Sequence, residues 1–212
     1  MTQTIEDSQV TLEEYEKYLS PSVAKATDVV AERGSGQYLW DVTGKRYIDW
    51  VQGICVNALG HAYPTVVDAA KKQIEKLLTA SFNVVSYPST LELAKRIAEI
   101  APGDLDTVMF SNGGAEATDG AIKLARVATG RPDVIAFMGS FHGRTMGAIS
   151  ITASNAFYRK GLEPLMGGVH FVPYPSRDLC PEGYDAKQRA EWCLKEIEKL
   201  FKYVVLPEEV AC

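Results

Sequence analysis

The pattern of apolar and polar positions is most regular between residues 106 and 147. An apolar run of strand type, residues 108–111, ends at Asn112-Gly113-Gly114. From Ala115 the apolar residues recur at helical spacing as far as Gly130, and a second apolar run follows at residues 134–138. Strand, glycine turn, helix and strand in this order predict a βαβ unit of a parallel sheet.

The pattern on either side of this unit predicts further elements. Upstream, three short strand-like runs separated by turn residues predict a small antiparallel meander at residues 28–33, 37–41 and 46–50. We expect its aromatic residues to pack in a core: Tyr38, Trp40, Tyr47 and Trp50. Helical periodicity predicts helices over residues 11–19, 64–79, 88–100 and 186–203, with Thr11 as the N-cap of the first. A strand is predicted at residues 169–172, and residues 51–64 show neither period.

The glycine turn is the strongest candidate for chemistry. It places free N–H groups of a helix N-terminus at the carboxyl end of a strand, where a phosphate is commonly bound. A second interpretation remains open, because Gly113 and Gly114 could simply permit a tight turn. The third glycine of a dinucleotide fingerprint and a Walker A sequence are both missing, which disfavours nicotinamide and P-loop nucleotide sites.

Composition narrows the function classes. The chain has 212 residues, of which 46% are hydrophobic and 23% charged, as in ordinary globular proteins. The net charge of −5 argues against nucleic acid or an anionic membrane as partner. No apolar run approaches the ~20 residues of a membrane span, and the polar start is unlike a signal peptide, so we expect a cytoplasmic protein. The four cysteines and three histidines lack ligand spacing, so we expect no metal site and buried or incidental thiols.

Four stretches carry a resemblance to a known family: GQYLWDVTGKRYIDWVQGI, LGHAYPTVVDAAKKQ, MFSNGGAEATDGAIKLAR and FMGSFHGRTMG. Together, from about Gly36 onward, the chain resembles the class III pyridoxal-phosphate-dependent aminotransferases, which include 4-aminobutyrate and acetylornithine aminotransferases. The resemblance implies an α/β fold, the fold type I of these transferases, here partial: the antiparallel meander plus an incomplete, mostly parallel sheet with flanking helices. It also implies that residues 1–60 belong to the small domain and residues 61–212 to a truncated large cofactor-binding domain.

The resemblance assigns cofactor contacts to particular residues. It implies that the backbone at Gly114 and Ala115 receives the phosphate of pyridoxal 5'-phosphate (PLP), in agreement with the helix N-terminus. Phe141 would stack on the pyridine ring. His142 adjoins the ring position, where a packed, hydrogen-bonded histidine and a catalytic one are both open interpretations.

Substrate contacts and departures from the family pattern follow from the same motifs. Arg144 would bind the substrate carboxylate, which suits a guanidinium fork, and Ile54 would lie beside the substrate. The family commonly has a serine at the position of Gly113, so a hydroxyl near the phosphate is missing. Asp119 stands where a glutamate is usual.

The implied activity is amino transfer from an amino acid or ω-amino acid, such as 4-aminobutyrate, to a 2-oxo acid, by a homodimer when the protein is complete. The family's Schiff-base lysine and the aspartate that pairs with the pyridine nitrogen are both expected beyond the chain end, so no catalytic residue is assigned here. The chain alone is therefore expected to be inactive. A mutase or racemase of the same family and a non-catalytic truncated product are the alternatives.

Overall fold

The computed structural model describes residues 12–22 and 25–212, which fall into two compact units that divide between Leu91 and Glu92. The first unit begins with helix α1 (Leu12–Glu16). This helix lies within the predicted range, whereas Thr11, its predicted N-cap, lies outside the described residues. No helix of the described chain has the length and apolar character needed to cross a membrane.

The predicted antiparallel meander is present in the first unit. Strands β1 (Ala31–Ser35), β2 (Tyr38–Asp41) and β3 (Arg46–Ile48) pair in chain order. β1 begins and ends later than predicted because the first turn is a two-residue loop at Gly36 and Gln37, not a turn around Gly34. Gly36 has a φ of 55°, in the region that glycine adopts without steric cost.

The core role predicted for the meander's aromatic residues is wrong for Trp50, which is 86% exposed. Tyr38 and Trp40 are only half-buried and each lies beneath a guanidinium. The Arg33 Cζ is 3.7 Å from the centre of the Trp40 ring, and the Arg46 Cζ is 4.6 Å from the centre of the Tyr38 ring. Cation–π contacts therefore cover rings that the pattern assigned to hydrophobic packing.

The last residue of β2 organises the turn into β3. Asp41 is buried, and its Oδ1 accepts hydrogen bonds from the hydroxyl and the backbone N–H of Thr43, at 2.6 and 2.9 Å, and from the Lys45 N–H at 3.0 Å. Its Oδ2 accepts from the Tyr47 hydroxyl at 2.7 Å. These donors favour the carboxylate form. The Thr43 hydroxyl, followed by that of Tyr47, lowers the pKa of Asp41 to about 2.

Between β3 and the next long helix the backbone is left-handed for one turn. α2 (Gln52–Cys55) has positive φ at every residue, including the β-branched Ile54 at 64°. The sequence predicts neither helix nor strand over residues 51–64, because a single left-handed turn has no characteristic side-chain period. Helices α3 (Pro64–Lys76) and α4 (Pro88–Ile100) follow as predicted, with α3 ending three residues early.

The second unit contains a parallel pair of strands. Helix α5 (Gly114–Thr129) leads into β4 (Val134–Phe137), which pairs in parallel with β5 (Val169–Val172). Helix α6 (Met146–Ser150) and a 3-10 turn (Ala156–Arg159) lie between the two strands, and α7 (Ala186–Tyr203) follows them. Beyond a second 3-10 turn (Pro207–Glu209), residues 209–212 run along the other side of β4. Ala211 donates its N–H to the Asp133 carbonyl at 2.7 Å, and Ile135 donates to that of Cys212 at 2.9 Å.

The strand predicted at residues 108–111 is absent, so the prediction of a βαβ unit around α5 is wrong in its first strand. A strand is defined by backbone pairing, and β5 and residues 209–212 occupy both sides of β4. The parallel crossover of the structure runs instead from β4 through α6 to β5.

The core of the second unit lies between α5 and the parallel strands. Four buried side chains form it: Ile122, Val134, Ala136 and Ile151. Partly buried residues pack against them: Met166, Val169 and Phe171. The core covers only part of the apolar surface of α5, because Leu124 and Val127 of this helix are exposed. The helix therefore presents an apolar surface that the described part of the chain leaves uncovered.

We expect Asp41→Asn to destabilise the meander at neutral pH and to lose this effect in acid. Because the folded pKa of Asp41 lies below its ordinary value of 3.8, the stabilisation is complete above that value and disappears as the pH falls through about 2. Urea unfolding followed by a meander-specific NMR signal between pH 6 and pH 2.5 measures it. Asp104→Asn, at an exposed carboxylate, is the control. A difference between wild type and Asp41→Asn that stays constant over this range would contradict the assignment.

Candidate active site

The N-terminus of α5 is open. Gly113, its N-cap, is extended at φ −170° and ψ 168° and offers no capping side chain. A Cβ built at Gly113 or Gly114 would meet no atom within 4 Å. The Glu116 carboxylate turns back onto Asn112, accepting from its backbone N–H at 2.8 Å and its side-chain amide at 3.0 Å. The first-turn amides of a 16-residue helix thus face space in which an anion is stabilised by the helix dipole.

The loop of residues 141–145 packs directly on this first turn. Gly143 has a φ of 130°, and a Cβ there would lie 2.5 Å from the Ala115 Cβ and 2.8 Å from its Cα. The Thr118 hydroxyl is within hydrogen-bond distance of the Gly114 carbonyl at 3.0 Å and the His142 carbonyl at 3.2 Å. Only glycine permits this approach, which brings the residues predicted to bind the phosphate next to those predicted to bind ring and substrate.

Thr152 fixes the other side of the loop, and the sequence reasoning missed it. Its side chain is fully buried. The Thr152 Oγ1 accepts from the His142 N–H at 3.0 Å, donates to the Ala148 carbonyl at 2.8 Å, and lies 3.3 Å from the Gly143 carbonyl. A polar residue at the end of the apolar run 148–152 was the available signal, but the sequence does not say which backbone groups it meets.

Asp119 lies beneath the next helix. Its Oδ1 is buried and has no hydrogen-bond partner within the part of the chain that the structure describes. Gly147, in the first turn of α6, leaves the space that this oxygen occupies, because a Cβ built at Gly147 would clash with it. Asp119 therefore packs against the start of α6, where the absence of a side chain at Gly147 makes room for its carboxylate.

Two aromatic rings and a guanidinium gather beyond the loop. Phe141 is 52% exposed and meets Tyr158 edge to face, with ring centres 5.5 Å apart. The Arg144 Cζ lies 5.3 Å from the Tyr158 ring centre and 6.0 Å from that of Phe141. No carboxylate of residues 12–22 or 25–212 forms a salt bridge with Arg144, whose side chain is exposed. Its charge is therefore available to a ligand.

The remaining predicted residues are placed differently. The backbone N–H and carbonyl of His142 are the groups that anchor the loop, through Thr152 and Thr118, and the residue itself is exposed. Ile54 belongs to the first unit, where it is 82% exposed in the left-handed turn α2. A β-branched residue at positive φ is a strained outlier, and such strain concentrates at functional sites.

A cavity of about 430 Å³ lies at the carboxyl ends of β4 and β5. It is lined by Met138, Gly139, Ser140, Tyr174, Ser176, Asp178 and Leu179. The Ser176 hydroxyl and the backbone N–H of Asp178 itself lower the pKa of the Asp178 carboxyl. None of the predicted site residues lines this cavity, although three of its lining residues, at positions 138–140, directly precede Phe141 in the chain. Within the described residues, no three His, Cys, Asp or Glu side chains converge as a metal site.

The sequence and the fold are both similar to those of known proteins. The family described as Aminotransferase class-III matches residues 19–212. A probable 4-aminobutyrate aminotransferase of Bacillus subtilis is 35% identical over 198 residues, covering 93% of this chain and 45% of the relative. An acetylornithine aminotransferase of Archaeoglobus fulgidus is 47% identical over 162 residues, 76% of this chain and 42% of the relative. The structure of taurine:2-oxoglutarate aminotransferase from Bifidobacterium kashiwanohense, in complex with PLP and glutamate, superposes with a TM-score of 0.82 at 28% identity, covering 97% and 48% of the two chains.

The fold is thus part of the PLP-dependent transferase fold of type I. The chain belongs to the class III aminotransferases, a PLP-dependent family. It spans about half the length of the relatives that it matches.

We expect Thr152→Val to lower the free energy of unfolding of the second unit by about 1–3 kcal/mol. Valine keeps the shape but leaves the part-buried His142 N–H and the buried Ala148 carbonyl without their hydroxyl partner. Chemical denaturation measures the loss. Thr107→Val, at an exposed position, is the matched control and should change stability by less than about 0.5 kcal/mol. Equal effects of the two substitutions would show that the Thr152 hydroxyl does not hold the loop.

Proposed function

We propose that the complete protein transfers an amino group from a carboxylate-bearing amine, an ω-amino acid such as 4-aminobutyrate, to a 2-oxo acid, with PLP as cofactor. The observation that carries the proposal is the contact between Gly143 and Ala115. It joins an open helix N-terminus, suited to a phosphate, to a loop that presents an aromatic ring and a guanidinium with which no carboxylate of the described residues forms a salt bridge.

The α5 N-terminus fits the phosphate of PLP. The amides of Gly114 and Ala115 are in the first turn, where a helix has no carbonyl partner for them, and a Cβ at either glycine of the turn would meet no neighbouring atom. Glu116 is the acidic residue of this turn. Its carboxylate accepts two hydrogen bonds from Asn112, which turn the negative charge toward that residue. Backbone amides and the helix dipole would hold the phosphate there.

Phe141 and Arg144 fit the rest of the cofactor and the substrate. The exposed part of the Phe141 ring gives a surface on which the pyridine ring stacks, while Tyr158 supports its edge. Arg144 binds the substrate carboxylate by charge-assisted hydrogen bonds and so orients the amino group. PLP, when bound, supplies an electron sink for charge at the carbon that carries the amino group.

Other assignments rest on the family resemblance. We propose that His142 lies beside the cofactor ring and that Ile54 flanks the substrate, its exposed and strained position being in keeping with such a role. We further propose that residues 1–60 belong to a small domain and residues 61–212 to a large one, and that the protein acts in the cytoplasm as a homodimer.

The full-length protein with PLP tests the activity. Incubated with ¹⁵N-labelled 4-aminobutyrate and 2-oxoglutarate, it should release the donor's aldehyde and place the label in the new amino acid, which NMR follows. Label that stays on the donor's own carbon skeleton but on a different carbon would indicate a mutase and overturn amino transfer. A second incubation with a single enantiomer of ¹⁵N-labelled alanine tests for a racemase, because inversion of the amino acid with the label retained would likewise overturn amino transfer.

We expect Arg144→Gln to lower kcat/KM for 4-aminobutyrate roughly 10- to 100-fold, because a charge-assisted hydrogen bond to the carboxylate is lost. An alkylamine of the same length without a carboxylate should be affected by less than about twofold, since it never uses this contact. Arg96→Gln, at an exposed arginine on α4, is the control. An equal loss for both amines would assign Arg144 to the structure of the loop and not to the substrate.

We expect Gly113→Ser to tighten PLP binding to the full-length apoprotein by roughly fivefold, which corresponds to about 1 kcal/mol for a restored hydroxyl hydrogen bond. The extended backbone and the open space at Gly113 accept either side chain. Gly113→Ala is therefore a control of similar size that adds no hydroxyl, and its Kd should equal that of the wild type. Identical Kd values for the Ser and Ala variants would contradict a phosphate at this position.

A further inference from the structure

Two cysteines that are thirteen residues apart in the chain meet in the second unit. Cys193 lies in the middle of α7 and is 4% exposed. Cys180 is half-buried in segment 173–185, between β5 and α7. Their Sγ atoms are 3.7 Å apart. The other two cysteines, Cys55 and Cys212, are exposed, and all four are free thiols.

We propose that Cys180 and Cys193 are a redox-active dithiol, which a hydroperoxide converts into a disulfide that ties segment 173–185 to α7. The proposal rests on the short distance between the two Sγ atoms and on the difference in burial between the two thiols. It is independent of the amino-transfer activity.

The remaining gap is small enough for the segment to close. A disulfide has an S–S length of about 2.0 Å, so the two sulfurs must approach by roughly 1.7 Å. α7 has 18 residues and a capping box between Asp185 and Gln188, so it is the rigid partner. Segment 173–185 has no helix or strand. The approach therefore falls on Cys180, whose thiol is held on the other side by a long contact, 3.7 Å, to the Tyr174 carbonyl.

The environments of the two thiols set the order of events. Burial, followed by the hydrogen bond with Cys180, raises the pKa of Cys193 to about 11. Cys193 is thus a protonated, shielded thiol, whereas Cys180 is the one that solvent and a small oxidant reach. Cys180 is therefore the first sulfur to react, and Cys193 is the one that resolves the product.

The reaction balances with one hydroperoxide. The Cys180 thiolate attacks the peroxide oxygen, the O–O bond breaks, and a sulfenic acid forms with release of an alcohol, or of water from hydrogen peroxide. The Cys193 sulfur then attacks the Cys180 sulfur, the S–O bond breaks, and water leaves as the S–S bond forms. Two thiols lose two electrons and two protons, and the peroxide takes up both.

The disulfide would also change the shape of the cavity at the carboxyl ends of β4 and β5. Asp178 and Leu179 line that cavity and directly precede Cys180. Drawing Cys180 toward α7 therefore moves the part of the cavity wall that Asp178 and Leu179 form.

The full chain, exposed to hydrogen peroxide and quenched with maleimide in denaturant, tests the proposal. We expect Cys180 and Cys193 to lose labelling together, and a mass decrease of about 2 Da. Trypsin should then release peptides 178–187 and 190–195 joined by a reducible bond. Cys55 and Cys212 should keep their labelling while the pair forms. Oxidation of Cys180 with Cys193 still free, or loss of labelling at Cys55 at the same rate, would overturn the proposal.

Two variants separate the roles of the sulfurs. In Cys193→Ser, Cys180 should accumulate as a sulfenic acid that dimedone traps at least several-fold more than in the wild type, since the resolving thiol is missing. In Cys180→Ser, Cys193 should resist oxidation. Oxidation of Cys193 in Cys180→Ser at the wild-type rate would contradict this order. If Cys193→Ser fails to fold, the peptide pair from the wild-type chain still decides between the outcomes.

Discussion

The close approach of two backbones, at Gly143 and Ala115, is the constraint on which the second unit's site depends. A Cβ at Gly143 would lie 2.5 Å from that of Ala115, so the distance between loop and helix is set by the absence of a side chain. The neighbouring threonines act on the same junction, Thr118 from the helix and Thr152 from behind the loop. Because both bind the backbone of His142, the loop position does not depend on what its exposed side chains contact.

This arrangement divides the site into two kinds of recognition. The proposed anion position would use backbone amides at the start of α5, which are present whatever side chains stand there. The missing hydroxyl at Gly113 would therefore change the strength of anion binding and not abolish it. The position of Arg144 is different, because it depends on one side chain that Tyr158 holds by a ring contact. A ring directs the guanidinium without neutralising it, whereas an ion pair would compete with any incoming carboxylate.

The sequence predicts most elements of the second unit because their signals are local. α5, β4, β5 and α7 have the boundaries that periodicity and glycine stops indicate, to within one residue. The predictions are wrong where the outcome depends on which strands pair or on which side chains become buried, because both depend on the tertiary structure. Residues 108–111 have the composition of a strand, yet both sides of β4 are occupied by other segments. Trp50 has the large apolar side chain typical of a core residue, but nothing in the described chain buries it.

The candidate site is likewise predictable from the sequence only where its signals are local, and not where residues distant in the chain come together. The change of period at Gly113 and Gly114 marks the proposed anion position without knowledge of the fold, whereas the assignments of Phe141 and Arg144 rest only on the family resemblance. Thr152 and the pair of Cys180 and Cys193 have no local signal, since each acts on a partner that only folding brings near. The role of a hydroxyl or a thiol is therefore ambiguous in a sequence. Its role depends on whether a backbone group or a second sulfur lies within reach, and here folding supplies both.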